Sequence, residues 1–225
     1  MCFQETFDPR ICCRYKEGIL PYYRFKQELL SVTPFVTLFY DVITDKEIDA
    51  LMQVARDKVQ FLTGDPRQFV SFGPNVRENI LGIKGGWREI ANYGIGGQYG
   101  LHWDFLAEAL KEEVRNHEAS LYGGDRLATF LIYLTDVERG GSTVFNKLGL
   151  AVSPVKKMAL FWYNAKPSGE LDYTTQHAGC PVVVGHKWVS NKWMWNYGNT
   201  FTRRCGLTPD ATQLDIELYM RKGWV

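Results

Sequence analysis

His102-Trp103-Asp104, read together with His177 and Lys187, is the stretch from which the rest of the chain is interpreted. Two imidazoles and one carboxylate form the donor set of an open-sided iron(II) site. Imidazole nitrogen and carboxylate oxygen both suit that ion, and three protein ligands on one face leave positions free. In an extended segment the side chains at i and i+2 point to the same side. His102 and Asp104 can therefore grip one ion from a single short strand, with Trp103 turned away. His177 lies far along the chain, so only a folded sheet can deliver it. Lys187 follows after about the length of one strand-turn-strand step, which returns the chain to the same cavity. An isolated HxD pair also reads as a hydrogen-bonded loop pair, so the flanking sequence has to decide.

Outward from this stretch the pattern is that of a β-protein. Leu127 to Leu134 is apolar on both faces, as in a central strand covered on both sides. Within it Leu127, Thr129, Leu131 and Tyr133 share one parity, so Thr129 faces the cavity if Tyr133 does. Gly140-Gly141 turns the chain, and 143–145, 150–152 and 158–163 supply further strands. From Lys187 to Trp195, Lys187, Val189, Asn191 and Trp193 alternate with Trp188, Ser190, Lys192 and Met194; His186 falls on the outer parity. Residues 34–43 read as a strand. Thr44-Asp45-Lys46-Glu47 then opens a helix whose apolar face is Ile48, Leu51, Met52, Ala55 and Val59. Ile90 to Tyr99 is expected to carry Tyr93 toward the site. Residues 105–119 read as a short amphipathic helix or ordered loop, with His117 in its solvated part. Residues 1–34 and 62–89 show no clear period, and the polar tail holds a short helix at 214–221. Many short strands between Gly, Pro and Asn turns argue for a sandwich or jelly roll.

Composition sets outer bounds. The chain has 225 residues, enough for one substantial core, and its 45% hydrophobic and 23% charged residues are ordinary for a globular protein. A net charge of +1 gives no case for nucleic acid or a membrane surface. No apolar run approaches the ~20 residues needed to span a bilayer. Met1 to Glu5 has neither the basic nor the apolar region of a signal peptide. The five cysteines, Cys2, Cys12, Cys13, Cys180 and Cys205, read on their own as small hydrophobes in a reducing compartment.

Several ordered blocks narrow the reading further: Asn92 to Tyr99, Arg126 to Asp136, Gly140 to Phe145, Ala159 to Tyr163, Ser168 to Glu170, and His177 to Trp193. At these blocks the chain closely resembles the catalytic domain of the collagen prolyl 4-hydroxylase α subunits, within the 2-oxoglutarate-dependent iron(II) dioxygenases. The resemblance is strong from Ile90 to Cys205 and weaker from Cys2 to Val54. It implies a mainly β fold with flanking helices, a double-stranded β-helix (jelly-roll) barrel. It divides the chain into an N-terminal segment with cysteines (1–34), a catalytic domain (35–205) and a tail (206–225).

The same resemblance implies His102, Asp104 and His177 as iron ligands and Lys187 as the cation for the distal carboxylate of 2-oxoglutarate. Thr129 and Tyr133 are the expected hydrogen-bond donors to that carboxylate. Tyr93 is expected over the opening and Trp193 along the iron side; all four also read as core. The implied reaction turns proline of collagen-like peptides into 4-hydroxyproline with O2, giving succinate and CO2, with L-ascorbate restoring oxidised iron. Implied disulfides are Cys180–Cys205 and Cys2–Cys13. They fit an endoplasmic reticulum lumen, and the absent leader then marks a fragment or an atypical gene product. Protein disulfide isomerase as a β subunit is the implied protein partner. The chain departs from the family in a shortened 62–89 segment and in Gly100-Leu101 for its usual Glu-Pro. Alternatives are the same chemistry on another proline-containing peptide, a shortened non-catalytic binding protein, or a zinc hydrolase, which leaves Lys187 without a role.

Overall fold

A computed structural model describes residues 13–17, 24–56, 60–61, 67–72, 88–106, 124–199, 203, 205–208 and 210–216. The first part of the chain runs β1 (Cys13–Glu17), β2 (Arg24–Ser31), β3 (Val36–Tyr40), α1 (Asp45–Arg56), β4 (Gln60–Phe61), β5 (Arg67–Phe72), β6 (Arg88–Tyr93) and β7 (Tyr99–His102). It continues with β8 (Arg126–Tyr133), β9 (Arg139–Gly140), β10 (Thr143–Phe145), β11 (Leu150–Val152) and β12 (Ala159–Tyr163). β13 (His177–Gly179), β14 (Val182–Val184), β15 (Lys187–Trp195) and the one-turn helix α2 (Asn196–Asn199) complete it.

Nine strands form one sheet in the order β1-β2-β3-β12-β8-β15-β6-β5-β4, and four form a second in the order β11-β10-β13-β7. β9 and β14 make a small ribbon. This is a jelly-roll arrangement with few helices. The expected barrel does not close: among the described residues the two sheets keep separate edges, because β1 to β3 and β4 to β5 extend the large sheet outward on both sides.

The alternation on β8 splits the core in two. Ala128, Phe130 and Ile132 pack outward with Ala159 and Phe161 of β12, Ile90 of β6, Met194 of β15, and Ile48 and Ala55 of α1. Leu131 and Tyr133 pack inward with Leu160 and Trp162 of β12, Val189 of β15 and Phe145 of β10. Strand alternation alone produces this division. The helix therefore covers the outer face of the large sheet, while the inner face meets the small sheet. α1 starts where the sequence indicates. Thr44 Oγ1 and its amide both bond to Glu47 Oε2, at 2.7 and 2.9 Å, and the Glu47 amide returns to Thr44 Oγ1 at 3.3 Å, a capping box.

Two expectations are corrected. Residues 13–17 and 24–31, read as irregular, are strands; Gln27 and Leu29 are buried between more exposed neighbours along β2, a period-two signal in Arg24 to Leu29. Cys180 and Cys205 are not bonded to one another. The Cys180 amide donates to Ser142 O, whereas the neighbour of Cys205, Gly206, donates to Pro167 O, so the two cysteines are fixed to different parts of the fold. Cys2 and Cys12, most of 62–89, the 105–119 segment beyond Leu106 with His117, and 217–221 lie outside the described residues; 213–216 are helical as expected.

Candidate active site

β7 and β13 are antiparallel neighbours with His102 opposite His177, so two residues distant in sequence become cross-strand partners. Their rings lie 4.2 Å apart, centre to centre. Asp104, just past the end of β7, places Oδ1 3.5 Å from His102 Nε2 and 3.7 Å from His177 Nε2. One ligand atom from each of the three residues falls within 4.8 Å of the others, so a single ion can bond to all three. Each imidazole donates its Nδ1–H to a backbone carbonyl, His102 to Gly100 O at 2.8 Å and His177 to Thr175 O at 3.0 Å. Those bonds fix the tautomer that leaves Nε2 bare toward the cluster.

The electrostatics suit a cation. Burial would push the Asp104 carboxyl up, but His177, His102 and Arg126 outweigh it and hold the group well below the usual carboxylate range. Burial takes the His177 pKa down to about 4, and the nearby His102 and Lys187 charges add to the fall, so the ring is neutral at pH 7. Neutral imidazole and ionised carboxylate are the ligating forms. His102, 27% exposed, forms the accessible side; Asp104 and His177 are buried. Trp162 packs edge-on against His177 at 4.7 Å and Phe145 lies 5.5 Å from it.

Lys187 begins β15, opposite Tyr93 on β6, and is 4% exposed. Its Nζ lies 5.5 Å from the Tyr93 ring centre and 5.8 Å from that of Tyr133, within cation–π range. Among the described residues no carboxylate acts on it. Burial lowers its pKa to about 8, with Cys180 opposing the fall. Glycines make the space it occupies. A Cβ on Gly141 (φ +70°) would lie 3.5 Å from Lys187 Cδ, and one on Gly179 3.8 Å from Nζ. Gly179 is two residues from His177 on β13, about 7 Å along the strand. A buried amine with no anion beside it among the described residues thus stands across a short gap from the three-point cluster, and a small diacid fits that pair of ends. The residues present suit both an iron(II) ion and 2-oxoglutarate.

The other expected residues are placed as follows. Tyr93 and Tyr133 flank the amine, and the Tyr133 hydroxyl donates to Thr143 Oγ1 at 2.8 Å. Thr129 is at the other end: its hydroxyl donates to Asp104 Oδ2 at 2.5 Å and is directed to the cluster rather than to Lys187. Trp193 lies opposite Thr129 in register, with the Arg126 guanidinium 3.8 Å over its ring. His186 is exposed. Thr143, Asn164, Trp162 and Arg126 were not singled out in sequence. Thr143 had a legible signal, since the Gly140-Gly141 turn puts it first on a strand beside Gly179.

Residues 89–195 match the model of the 2OG-Fe(II) oxygenase superfamily. The chain is 39% identical over 232 residues to prolyl 4-hydroxylase subunit alpha-2 of Gallus gallus, covering 88% of this chain and 42% of that protein. It is 37% identical over 233 residues to the human alpha-1 subunit, covering 88% and 42%. It thus spans about two fifths of the length of these curated relatives. The crystal structure of viral collagen prolyl hydroxylase from Paramecium Bursaria Chlorella virus-1, in its 2OG complex, superposes with a TM-score of 0.55 at 26% identity, covering 70% of this chain and 94% of that one.

Proposed function

We propose that this chain, which belongs to the 2OG-Fe(II) oxygenase superfamily through residues 89–195, hydroxylates proline in collagen-like peptides. The reaction consumes O2 and 2-oxoglutarate and yields 4-hydroxyproline, succinate and CO2. One observation carries the reading: the buried amine of Lys187, with no carboxylate acting on it among the described residues, faces a His–Asp–His cluster across the gap at Gly179. A zinc hydrolase has no use for that amine. The similarity to prolyl 4-hydroxylase α subunits supports proline as the target.

In this reading His102, Asp104 and His177 hold the iron, which supplies the oxygen-activating redox chemistry together with the bound keto acid. Lys187 pairs with the distal carboxylate, and that anion offsets the desolvation of the amine. Tyr93 and Tyr133 wall the pocket on either side of the amine, and Tyr133 stays a neutral phenol because burial raises its pKa. Trp162 and Phe145 exclude water behind His177. Trp193, opposite Thr129 in register, carries the Arg126 guanidinium over its ring. L-Ascorbate would return oxidised iron to the ferrous state. A protein disulfide isomerase β subunit and an endoplasmic reticulum lumen belong to the same reading.

The test is iron-dependent succinate release by the purified chain on a (Pro-Pro-Gly) repeat, set against unrelated proline peptides. Release on the repeat alone supports the assignment; release only on another proline peptide moves the substrate. No release on any peptide refutes the activity.

A further inference from the structure

The two oxygens of Asp104 have different surroundings. Oδ1 faces both histidine Nε2 atoms, at 3.5 and 3.7 Å, while Oδ2 accepts the Thr129 hydroxyl at 2.5 Å. The direction of that hydroxyl proton can be deduced. Asn164, wholly buried just past β12, places Nδ2 3.1 Å from Arg126 O and 3.2 Å from Thr129 Oγ1. A backbone carbonyl only accepts, so the atom facing Arg126 O must be the amide nitrogen. Its second hydrogen then enters a lone pair of Thr129 Oγ1. Thr129 is left to send its own hydrogen to Asp104 Oδ2.

We propose that Thr129 and Asn164 are positioning residues that make Asp104 a one-oxygen metal ligand. The inference rests on the iron reading above. A carboxylate free to chelate through both oxygens would take a second coordination position. A charge-assisted bond on Oδ2 reserves that oxygen and leaves the position open. The backbone makes the relay rigid. Thr129 sits mid-sheet on β8, opposite Trp162 of β12 and Trp193 of β15, and the backbone N–H of Asn164 donates to Leu127 O at 2.8 Å. Thr129 is 1% and Asn164 0% exposed, so water does not compete for these bonds.

Cobalt(II) titration of the purified chain tests this, read by visible absorption. The variants are Thr129→Val, Thr129→Ser, Asn164→Leu, the Thr129→Val/Asn164→Leu pair, and His102→Ala. Thr129→Val, which keeps the shape and loses the hydroxyl, should bind cobalt about 10- to 100-fold more weakly and change the absorption bands as the second oxygen coordinates. Thr129→Ser should keep both affinity and bands. Asn164→Leu should weaken binding by less, and the double variant should be no weaker than Thr129→Val alone, because Asn164 acts through Thr129. If Thr129→Val does not fold, by far-ultraviolet circular dichroism, Asn164→Leu and Thr129→Ser decide the matter. Wild-type affinity and bands in Thr129→Val, a serine variant as weak as valine, an unaffected Asn164→Leu, or additive losses would overturn the proposal. Cobalt binding unaffected by His102→Ala would instead overturn the metal site itself.

Discussion

Replacing Lys187 with methionine should make the ligand-free protein more stable and its use of 2-oxoglutarate much worse. In the free protein the amine is buried with no carboxylate among the described residues acting on it, and its pKa falls from 10.5 to about 8. At about 1.4 kcal/mol per pH unit, that fall corresponds to a cost of about 3 kcal/mol at neutral pH. Methionine has similar length and no charge, so Lys187→Met should recover much of it. Binding moves the other way. Losing one member of a buried charge pair costs about 2–5 kcal/mol, or roughly 30- to 4,000-fold in affinity. The pH dependence follows from the direction of the shift. Between pH 8 and 10.5 the folded lysine holds fewer protons than the unfolded one. Stability of the parent therefore rises with pH across that window, and the advantage of the variant fades. Thermal unfolding at pH 7 and pH 10, with and without 2-oxoglutarate, measures the first effect. Succinate release against 2-oxoglutarate concentration measures the second. A variant that melts below its parent without ligand, or that needs no more 2-oxoglutarate, would refute the placement of the amine.

Three further outcomes are expected. His102→Ala should abolish peptide-dependent 2-oxoglutarate turnover while leaving the fold intact, since the ring is partly exposed and its loss opens little core; turnover at the parent rate would remove it from the site. Gly179→Val should raise the 2-oxoglutarate requirement with little change in melting temperature. Its Cβ has ordinary clearance, 3.6 Å from Tyr99 and 3.8 Å from Lys187 Nζ, but its methyl groups would enter the gap between amine and cluster. Thr44→Ala removes the capping box of α1 and should cost about 1 kcal/mol in urea unfolding with no change in turnover, because α1 packs on the outer face of the sheet.

The sequence made the donor set and the strand parities legible because both depend on local geometry. His102 ends β7 and Asp104 follows two residues on, in the bend just past the strand rather than on it, and β8 and β15 alternate as their side chains do. Proton directions were not legible. Thr129 was expected at the 2-oxoglutarate carboxylate, and parity did place it on the cavity face. Which end of the cavity it serves depends on how far along β8 Asp104 arrives, and that is a tertiary fact. Asn164 was invisible for the same reason: its partners, Thr129 and Arg126, lie on another strand. Cys180 and Cys205 show a related limit, since spacing cannot say to which parts of the fold two loop cysteines are anchored.

The division of labour on β8 explains how one sheet can hold two chemically different ends at a fixed separation. Thr129 and Tyr133 share its inner face, four residues and so about 13 Å apart along the strand. Thr129 meets the metal carboxylate; Tyr133 flanks the lysine. β13 runs the same gap from the other sheet, with His177 at one end and Gly179 at the other. A diacid that must touch metal and amine at once needs their distance held to within a fraction of an ångström, and loops would let it vary. Here the ends are set by strand registers, His102 opposite His177 and Lys187 opposite Tyr93. Slipping either pairing by one residue would turn a ligand or the lysine to the other face. The outer parity of β15 opposes a slip of the second pairing, because it would drive Trp188 and Met194 out of their core. Burial on the face away from the chemistry thus keeps the lysine in register.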